Sequence, residues 1–165
     1  MKIVLFTLMM CLSSLSVAGD LYGGASHSNL DFKVDGVSSL DFTTVGIIVG
    51  YELTNQVAIE ARYAEGKKSD DIGGTDIEAD KVASVFAKVA IPNETTLTPY
   101  LLVGYTKATL DVEGFGGESE TDSSYGVGVQ FELTEALHLD AEYVVLMSDS
   151  DYDLNSVGVN LVYHF

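Results

Sequence analysis

Ionisable side chains in this chain lie at every second position of several alternating segments. They share one face of each segment with glycine and serine, whereas the opposite face is apolar. Small and charged residues on one face of a strand suit a narrow, packed interior in which a buried carboxylate needs a cationic partner. We therefore predict an interior charge network that consists of Glu52, Glu60, Arg62, Lys88, Glu132, Asp140 and Glu142. His138 and His164 fall on the same face.

This predicted network permits two interpretations, because its five acids outnumber its two bases. The first is a structural core of salt bridges in which Arg62 and Lys88 pair with neighbouring acids. The second is a gated path for ions through the same core.

Catalysis would require a nucleophile beside a base, and His27 and Ser28 are adjacent in the sequence. Neighbours in a strand point to opposite faces, so these two cannot bond as a dyad. The acid-rich segments 67–80, 113–122 and 148–153 show no ordered spacing of a calcium loop. We predict no catalytic residue, no metal site and no cofactor.

The elements that would position these side chains are β-hairpins, of which the clearest is Tyr125–Val145. Its first half alternates Val127, Val129 and Phe131 with glycine and polar residues, and alternation resumes after the turn Thr134–Leu137. A period of two over this length indicates strands. A hairpin that is apolar outside and small or polar inside is typical of a transmembrane β-barrel.

An internal repeat gives the strand count. Gly50–Thr54 matches Gln130–Thr134, and Ile59–Tyr63 matches Leu139–Tyr143, both at an offset of 80 residues. If a hairpin takes half of that offset, two offsets hold eight strands. The predicted fold is all-β, an eight-stranded antiparallel up-and-down transmembrane β-barrel.

The predicted connections differ between the two ends of the barrel. Short turns follow the second, fourth and sixth strands, whereas the segments after the others are generally longer and rich in Asp and Gly: Leu30–Ser39, Lys67–Glu78 and Glu113–Thr121. The segment after the seventh strand, Ser148–Asp151, is a short acidic loop. Short periplasmic turns and longer external loops are typical of outer-membrane barrels. Outward aromatic residues are predicted to form a girdle at each membrane interface. The girdle near the turns holds Tyr51, Phe131, Tyr163 and Phe165, and that near the loops holds Tyr63, Tyr105, Tyr125 and Tyr143.

The first residues are those of a secretory signal peptide: Lys2, the apolar run Ile3–Leu12, and Ser16–Ala18 before the predicted cleavage site. This run is shorter than the ~20 residues that a membrane-spanning helix needs. We therefore predict a cleaved signal over residues 1–18 and a barrel domain over residues 19–165. Removal of the signal would remove Cys11, the single cysteine, so the exported chain could form no internal disulfide. A net charge of −17 argues against nucleic acid as a partner.

The last strand ends in alternating apolar residues and a C-terminal phenylalanine: Val157, Val159, Leu161, Tyr163 and Phe165. This ending resembles the signal that the outer-membrane assembly machinery reads. Over residues 19–165 the chain resembles small outer-membrane barrels of the OmpA/OmpX type, through LYGGAS, TPYLLVGY, YGVGVQFELTEALHLDAEY and LVYHF. The peptidoglycan-binding domain that often follows such barrels is not predicted here.

The resemblance implies an integral protein of the Gram-negative outer membrane, exported, monomeric and in contact with outer-membrane lipid and lipopolysaccharide. Its implied role is membrane integrity or surface interaction, with an external ligand bound through the acidic loops. Three alternatives remain at this point: a narrow porin-like channel, a soluble lipocalin-like binding barrel and a lipid A-modifying enzyme. A lipocalin-like barrel would need an apolar interior, which would turn Gly46, Gly50 and Gly128 towards water.

Overall fold

The computed structural model describes residues 21–34, 40–66, 70–72, 75–112, 116–148 and 152–165. The predicted signal segment, residues 1–18, lies outside the described residues. Within the described part, nine strands follow one another: β1 (Leu21–Val34), β2 (Leu40–Thr54), β3 (Val57–Gly66), β4 (Asp70–Ile72), β5 (Thr75–Ala90), β6 (Leu97–Val112), β7 (Gly116–Glu132), β8 (Leu137–Ser148) and β9 (Tyr152–His164). No helix among these residues is long and apolar enough to cross a membrane, a finding that does not bear on crossing by strands.

The eight long strands form one closed antiparallel sheet. Each pairs with the next long strand in the chain, and β9 pairs with β1, where Tyr22 lies opposite His164. β4 is a three-residue strand that pairs with the start of β5 in the hairpin between β3 and β5. Closure lets every strand pair on both sides, as a sheet surrounded by lipid requires. The predicted eight-stranded barrel is confirmed.

The 80-residue repeat also appears in the strand register. Gly50 lies opposite Glu60 in the β2–β3 ladder, and its repeat equivalent Gln130 lies opposite Asp140 in the β7–β8 ladder. Glu60 and Asp140, each on the second strand of its hairpin, therefore lie at the same height in the two repeats.

An apolar belt surrounds the part of the barrel next to the short turns. The outward residues of β9 from Val157 to Tyr163 are all exposed, as is Phe165 just after the strand, and β2, β6 and β7 carry similar exposed series. A segment of about nine to eleven residues is what a tilted strand needs to cross a bilayer. We call this part the belt half, and the part beyond it, which carries the long hairpins, the hairpin half.

Three of the long strands, β1, β5 and β7, reach further into the hairpin half than the sequence predicts. β1 continues to Val34 through the predicted loop Leu30–Ser39, and β7 begins at Gly116 inside the predicted loop Glu113–Thr121. The predicted loop Lys67–Glu78 likewise contains β4 and the start of β5. The reason is that outward residues become polar above the belt, so the apolar-outside pattern ends before the strands do.

Candidate functional site

Five of the seven predicted interior charges meet at the centre of the belt half: Glu60 and Arg62 from β3, Lys88 from β5, and Asp140 and Glu142 from β8. Glu60 and Asp140 are each 1% exposed. Their strands alternate strictly here, which turns every second side chain inward. The cluster contains three acids and two bases.

Arg62 is the centre of this cluster. Its Nε donates to Glu60 Oε2 at 2.8 Å, and its Nη2 also contacts Glu60. Its Nη1 and Nη2 donate to the two carboxylate oxygens of Glu142 at 2.6 and 2.8 Å. This two-pronged geometry is the strongest that an arginine makes with a carboxylate. Arg62 and Glu142 are 80 residues apart, so equivalent positions of the repeat bond to each other.

Lys88 joins the remaining acid to the cluster. Its Nζ donates to Asp140 Oδ2 at 2.9 Å and to Gln130 Oε1 at 3.2 Å, and lies 3.5 Å from Glu60 Oε1. The same ammonium lies 4.1 Å from the ring centroid of Tyr100, a cation–π distance. Within the described residues Asp140 Oδ1 has no hydrogen-bond partner, which agrees with the excess of acids over bases.

Two tyrosines complete the cluster in the same way. Tyr22 lies opposite Gly50, which in turn lies opposite Glu60, and the Tyr22 hydroxyl donates to Glu60 Oε1 at 2.7 Å. A Cβ at Gly50 would overlap the Tyr22 ring. The missing side chain therefore lets the ring pass over one strand and reach the next.

A second series of tyrosine, glycine and glutamate on three neighbouring strands repeats this arrangement, and we call each series a tyrosine row. Tyr100 lies opposite Gly128, Gly128 lies opposite Glu142, and the Tyr100 hydroxyl donates to Glu142 Oε1 at 2.6 Å. A Cβ at Gly128 would overlap the Tyr100 ring. We call the whole set the ion network: Tyr22, Glu60, Arg62, Lys88, Tyr100, Asp140 and Glu142.

Glu132 and Glu52 do not belong to the ion network. The interior position predicted for Glu132 needs correction, because its side chain is exposed. It is the last residue of β7 and lies opposite His138, where the wall ends. Glu52 is half-buried at the same rim, with Oε1 at 3.5 Å from His164 Nδ1.

The hairpin half is closed by apolar side chains. Six buried residues form what we call the apolar cap: Leu30, Phe42, Ala108, Leu146, Met147 and Leu154. A bulge in the β8–β9 ladder between Val145 and Met147 turns two consecutive residues, Leu146 and Met147, inward. A cavity of about 50 Å³ borders both the cap and the ion network and is lined partly by Ser26, Thr44 and Asn160. This is enough room for water.

The interior is thus obstructed at two levels, by ions near the turns and by apolar groups near the hairpins. Among the described residues, no group of three or more His, Cys, Asp or Glu side chains is placed to hold a metal ion. His27 is exposed on the outer wall, whereas Ser28 lies on the inner face of β1.

The predicted aromatic residues lie on the outer wall. All eight side chains are exposed, those of Tyr51, Phe131, Tyr163 and Phe165 near the turns and those of Tyr63, Tyr105, Tyr125 and Tyr143 towards the hairpins. The five residues of the predicted C-terminal assembly signal, Val157, Val159, Leu161, Tyr163 and Phe165, are exposed there too. The backbone N–H of Phe165 donates to the carbonyl of Leu21 at 3.1 Å, which ties the end of β9 to β1.

The sequence reasoning missed Tyr22 and the apolar cap. Tyr22 is in phase with Ser26 and Ser28, a small and polar series of the kind taken as inward elsewhere, and this phase could have identified it. The cap left a weaker signal, because its six residues are spread over five strands, each of which contributes only one or two of them.

Comparisons with known proteins agree with this architecture. The model of the family described as outer membrane protein beta-barrel domain matches residues 3–165. A search of curated protein sequences finds no significant match.

Solved structures share the fold. Neisserial surface protein A (NspA) aligns with a TM-score of 0.68 and 19% identity, over 88% of this chain and 97% of that one. Ail, the attachment invasion locus protein of Yersinia pestis, crystallised with the heparin analogue sucrose octasulfate, aligns at 0.65 and 21%, over 89% and 100%. OprG from Pseudomonas aeruginosa aligns at 0.60 and 12%, over 90% and 97%. At these identities the likeness concerns the fold alone.

Proposed function

The chain belongs to the outer membrane β-barrel family, and from this premise we propose that it acts at the cell surface through its hairpins rather than by conducting solutes. The observation that carries the proposal is the change of pattern along the barrel. The strands continue past the apolar belt with polar residues outside and the apolar cap inside. Such a half-barrel would hold the hairpin tips rigidly outside the membrane.

The charge of the hairpins indicates the kind of partner. Residues 67–80, 113–122 and 148–153 together contain twelve acids and two lysines. Anionic tips favour a cationic surface or peptide. The sulfated ligand in the Ail structure is an anion, like the hairpin tips of this chain. That ligand is therefore not carried over to this chain.

A pair of matched variants tests the surface role. The chain is placed in zwitterionic nanodiscs, and binding of a lysine-rich peptide is measured for the wild type and for the triple variant Glu113→Gln, Glu118→Gln, Glu120→Gln. The control changes three acids at the short-turn end of the barrel, Glu94, Glu132 and Glu135, to Gln. We expect the hairpin variant to lose binding and the control to keep it. Equal loss in both, or stronger binding of heparin than of the peptide, would overturn the proposal.

Planar-bilayer recording tests the alternative of a narrow channel. Because the ion network and the apolar cap obstruct the lumen in series, we expect no conductance steps from the wild type. Reproducible steps that change in size in an Arg62 variant would replace the surface role by conduction. The proposal assigns no catalysis to the chain, since His27 and Ser28 face opposite sides of β1.

A further inference from the structure

Two of the three histidines of the chain meet inside the barrel at its short-turn end. His138 lies opposite Val162 in the β8–β9 ladder. His164, two residues further along β9, is therefore the diagonal neighbour of His138 on the inner face. Both side chains are half-buried, and their ring centroids are 4.5 Å apart. The two imidazoles thus form a pair at the rim, where water can reach them.

The separation of the two rings is that of two imidazoles bound side by side to one metal ion. A bond between a metal and an imidazole nitrogen is about 2 Å long, which puts the metal about 3.2 Å from the ring centroid. At the right angle of square-planar or octahedral coordination, two such centroids are about 4.5 Å apart, whereas a tetrahedral angle gives about 5.2 Å. The observed 4.5 Å therefore fits copper or nickel better than zinc.

His164 is held by two neighbours in the orientation that a metal ligand needs. Glu52 Oε1 lies 3.5 Å from His164 Nδ1, and a carboxylate beside one ring nitrogen is a common partner of a metal-binding histidine. The Tyr22 ring stacks on His164, with centroids 4.9 Å apart, and so restricts rotation of the imidazole. These contacts leave Nε2 of His164 as its ligand atom.

His138 is held through its Nδ1 as well, by the side-chain amide of Gln130 at 2.9 Å. A metal on Nε2 requires a proton on Nδ1, and Gln130 would then turn its amide oxygen towards that N–H. Lys88 would give up its 3.2 Å bond to Gln130 but keep its 2.9 Å bond to Asp140. The ion network can therefore tolerate the exchange.

The surroundings of the pair are negatively charged. Glu132 lies opposite His138 in the β7–β8 ladder, and Glu52 lies beside His164. Carboxylates at a rim attract cations from the adjoining water. Among the described residues no third His, Cys, Asp or Glu side chain completes a metal-binding group with the pair, so water would fill the other coordination positions.

We propose that His138 and His164 bind a divalent transition-metal ion through their Nε2 atoms, with Cu²⁺ held most tightly. Imidazole is a favoured ligand of copper and nickel, and affinity along the divalent series is highest for Cu²⁺. The site lies at the end of the barrel opposite the hairpins, so it does not depend on the proposed surface role.

The test uses the whole folded chain in zwitterionic detergent, with Cu²⁺ as the probe. Calorimetric titration measures the affinity, and electron paramagnetic resonance counts the nitrogens bound to copper. We expect one ion per chain and a spectrum split by two nitrogens. His138→Gln and His164→Gln should each weaken binding about a hundredfold, and Glu52→Gln about tenfold, the smallest usual effect of losing a partner beside a metal-binding histidine.

The matched control is His27→Gln, which removes the third histidine, exposed on the outer wall, and should leave the affinity unchanged. Heat-modifiable gel mobility checks that each variant is folded, and the wild-type spectrum decides even if one is not. Three results would overturn the site: a spectrum with one nitrogen or none, an equal loss of affinity in His27→Gln, and displacement of Cu²⁺ by Ca²⁺ at equal concentration. The last would identify an oxygen site at the turn carboxylates, because calcium prefers oxygen ligands.

Discussion

The belt half and the hairpin half of the barrel use opposite patterns on the same strands. In the belt half of β9, Val157 and Val159 are exposed while Asn160 is buried; in the hairpin half, Asp153 and Asn155 face outward while Leu154 is buried. The strand is continuous, and its side chains alternate throughout. The comparison teaches that the medium around the barrel, lipid or water, selects which face is apolar.

The two halves are consequently stabilised by different interactions. Where lipid surrounds the wall, transfer of an apolar side chain from lipid to the barrel interior contributes little free energy. Packing and buried hydrogen bonds therefore carry more of the stability there. The ion network lies in this half. Where water surrounds the wall, burial of apolar surface is favourable, and the apolar cap lies there.

The largest expected effect is loss of the cation at the centre of the belt half. Arg62→Met should lower the free energy of unfolding by about 3–5 kcal/mol, because Glu60 and Glu142 would remain buried without their main partner. Urea unfolding of the barrel in phospholipid vesicles measures this loss. Arg62→Lys keeps the charge but not the two-pronged contact and should lose less. A loss below about 1 kcal/mol for Arg62→Met would show that the network is dispensable.

In the hairpin half, Leu154→Ala should lower the free energy of unfolding by about 3 kcal/mol, the usual cost of a cavity in an apolar core. The matched control on the lipid side of the same strand is Val159→Ala. It should cost at most about 1 kcal/mol, within the range of strand propensities, because lipid can fill the space. Equal losses from the two variants would remove the distinction between the halves.

The tyrosine rows predict a steric effect within the belt half. Gly128→Ala should cost about 1–3 kcal/mol, as overpacking does, since the new methyl group would displace the Tyr100 ring from Glu142. A Cβ added at Gly23 would meet its nearest neighbour, the Phe165 ring, at 3.5 Å, so Gly23→Ala should change stability by less than about 0.5 kcal/mol. The same unfolding assay checks both variants. An unchanged free energy of unfolding for Gly128→Ala would refute the claim that the Tyr100 ring needs the space above Gly128.

The smallest expected effect concerns the rim. Glu132→Gln should change the free energy of unfolding by less than about 0.5 kcal/mol, because the side chain is exposed. Glu142→Gln, which weakens the contacts with Arg62 and Tyr100, provides the comparison. If the two variants lose similar stability, Glu132 contributes to the interior after all.

The sequence predicted the parts of this fold that depend on local pattern. Period-two alternation located the belt segments, and the 80-residue repeat between Glu52 and Glu132 led to eight strands. The inward phase of Glu60, Arg62 and Lys88 followed from the same alternation. The upper ends of β1 and β7 were not found, because polar outward residues and apolar inward residues resemble a loop when only the belt pattern is sought.

By itself, the sequence determined that the chain forms an eight-stranded barrel and that Glu60, Arg62 and Lys88 face inward, because both follow from a periodicity that each strand carries alone. Only the tertiary structure decided that Arg62 bonds Glu142, that Tyr22 and Tyr100 cross a glycine to reach an acid, and that Glu132 lies at the rim. Those outcomes depend on strand register and on the narrow width of the closed barrel. Both are properties of the closed sheet, set by pairing between residues far apart in the chain.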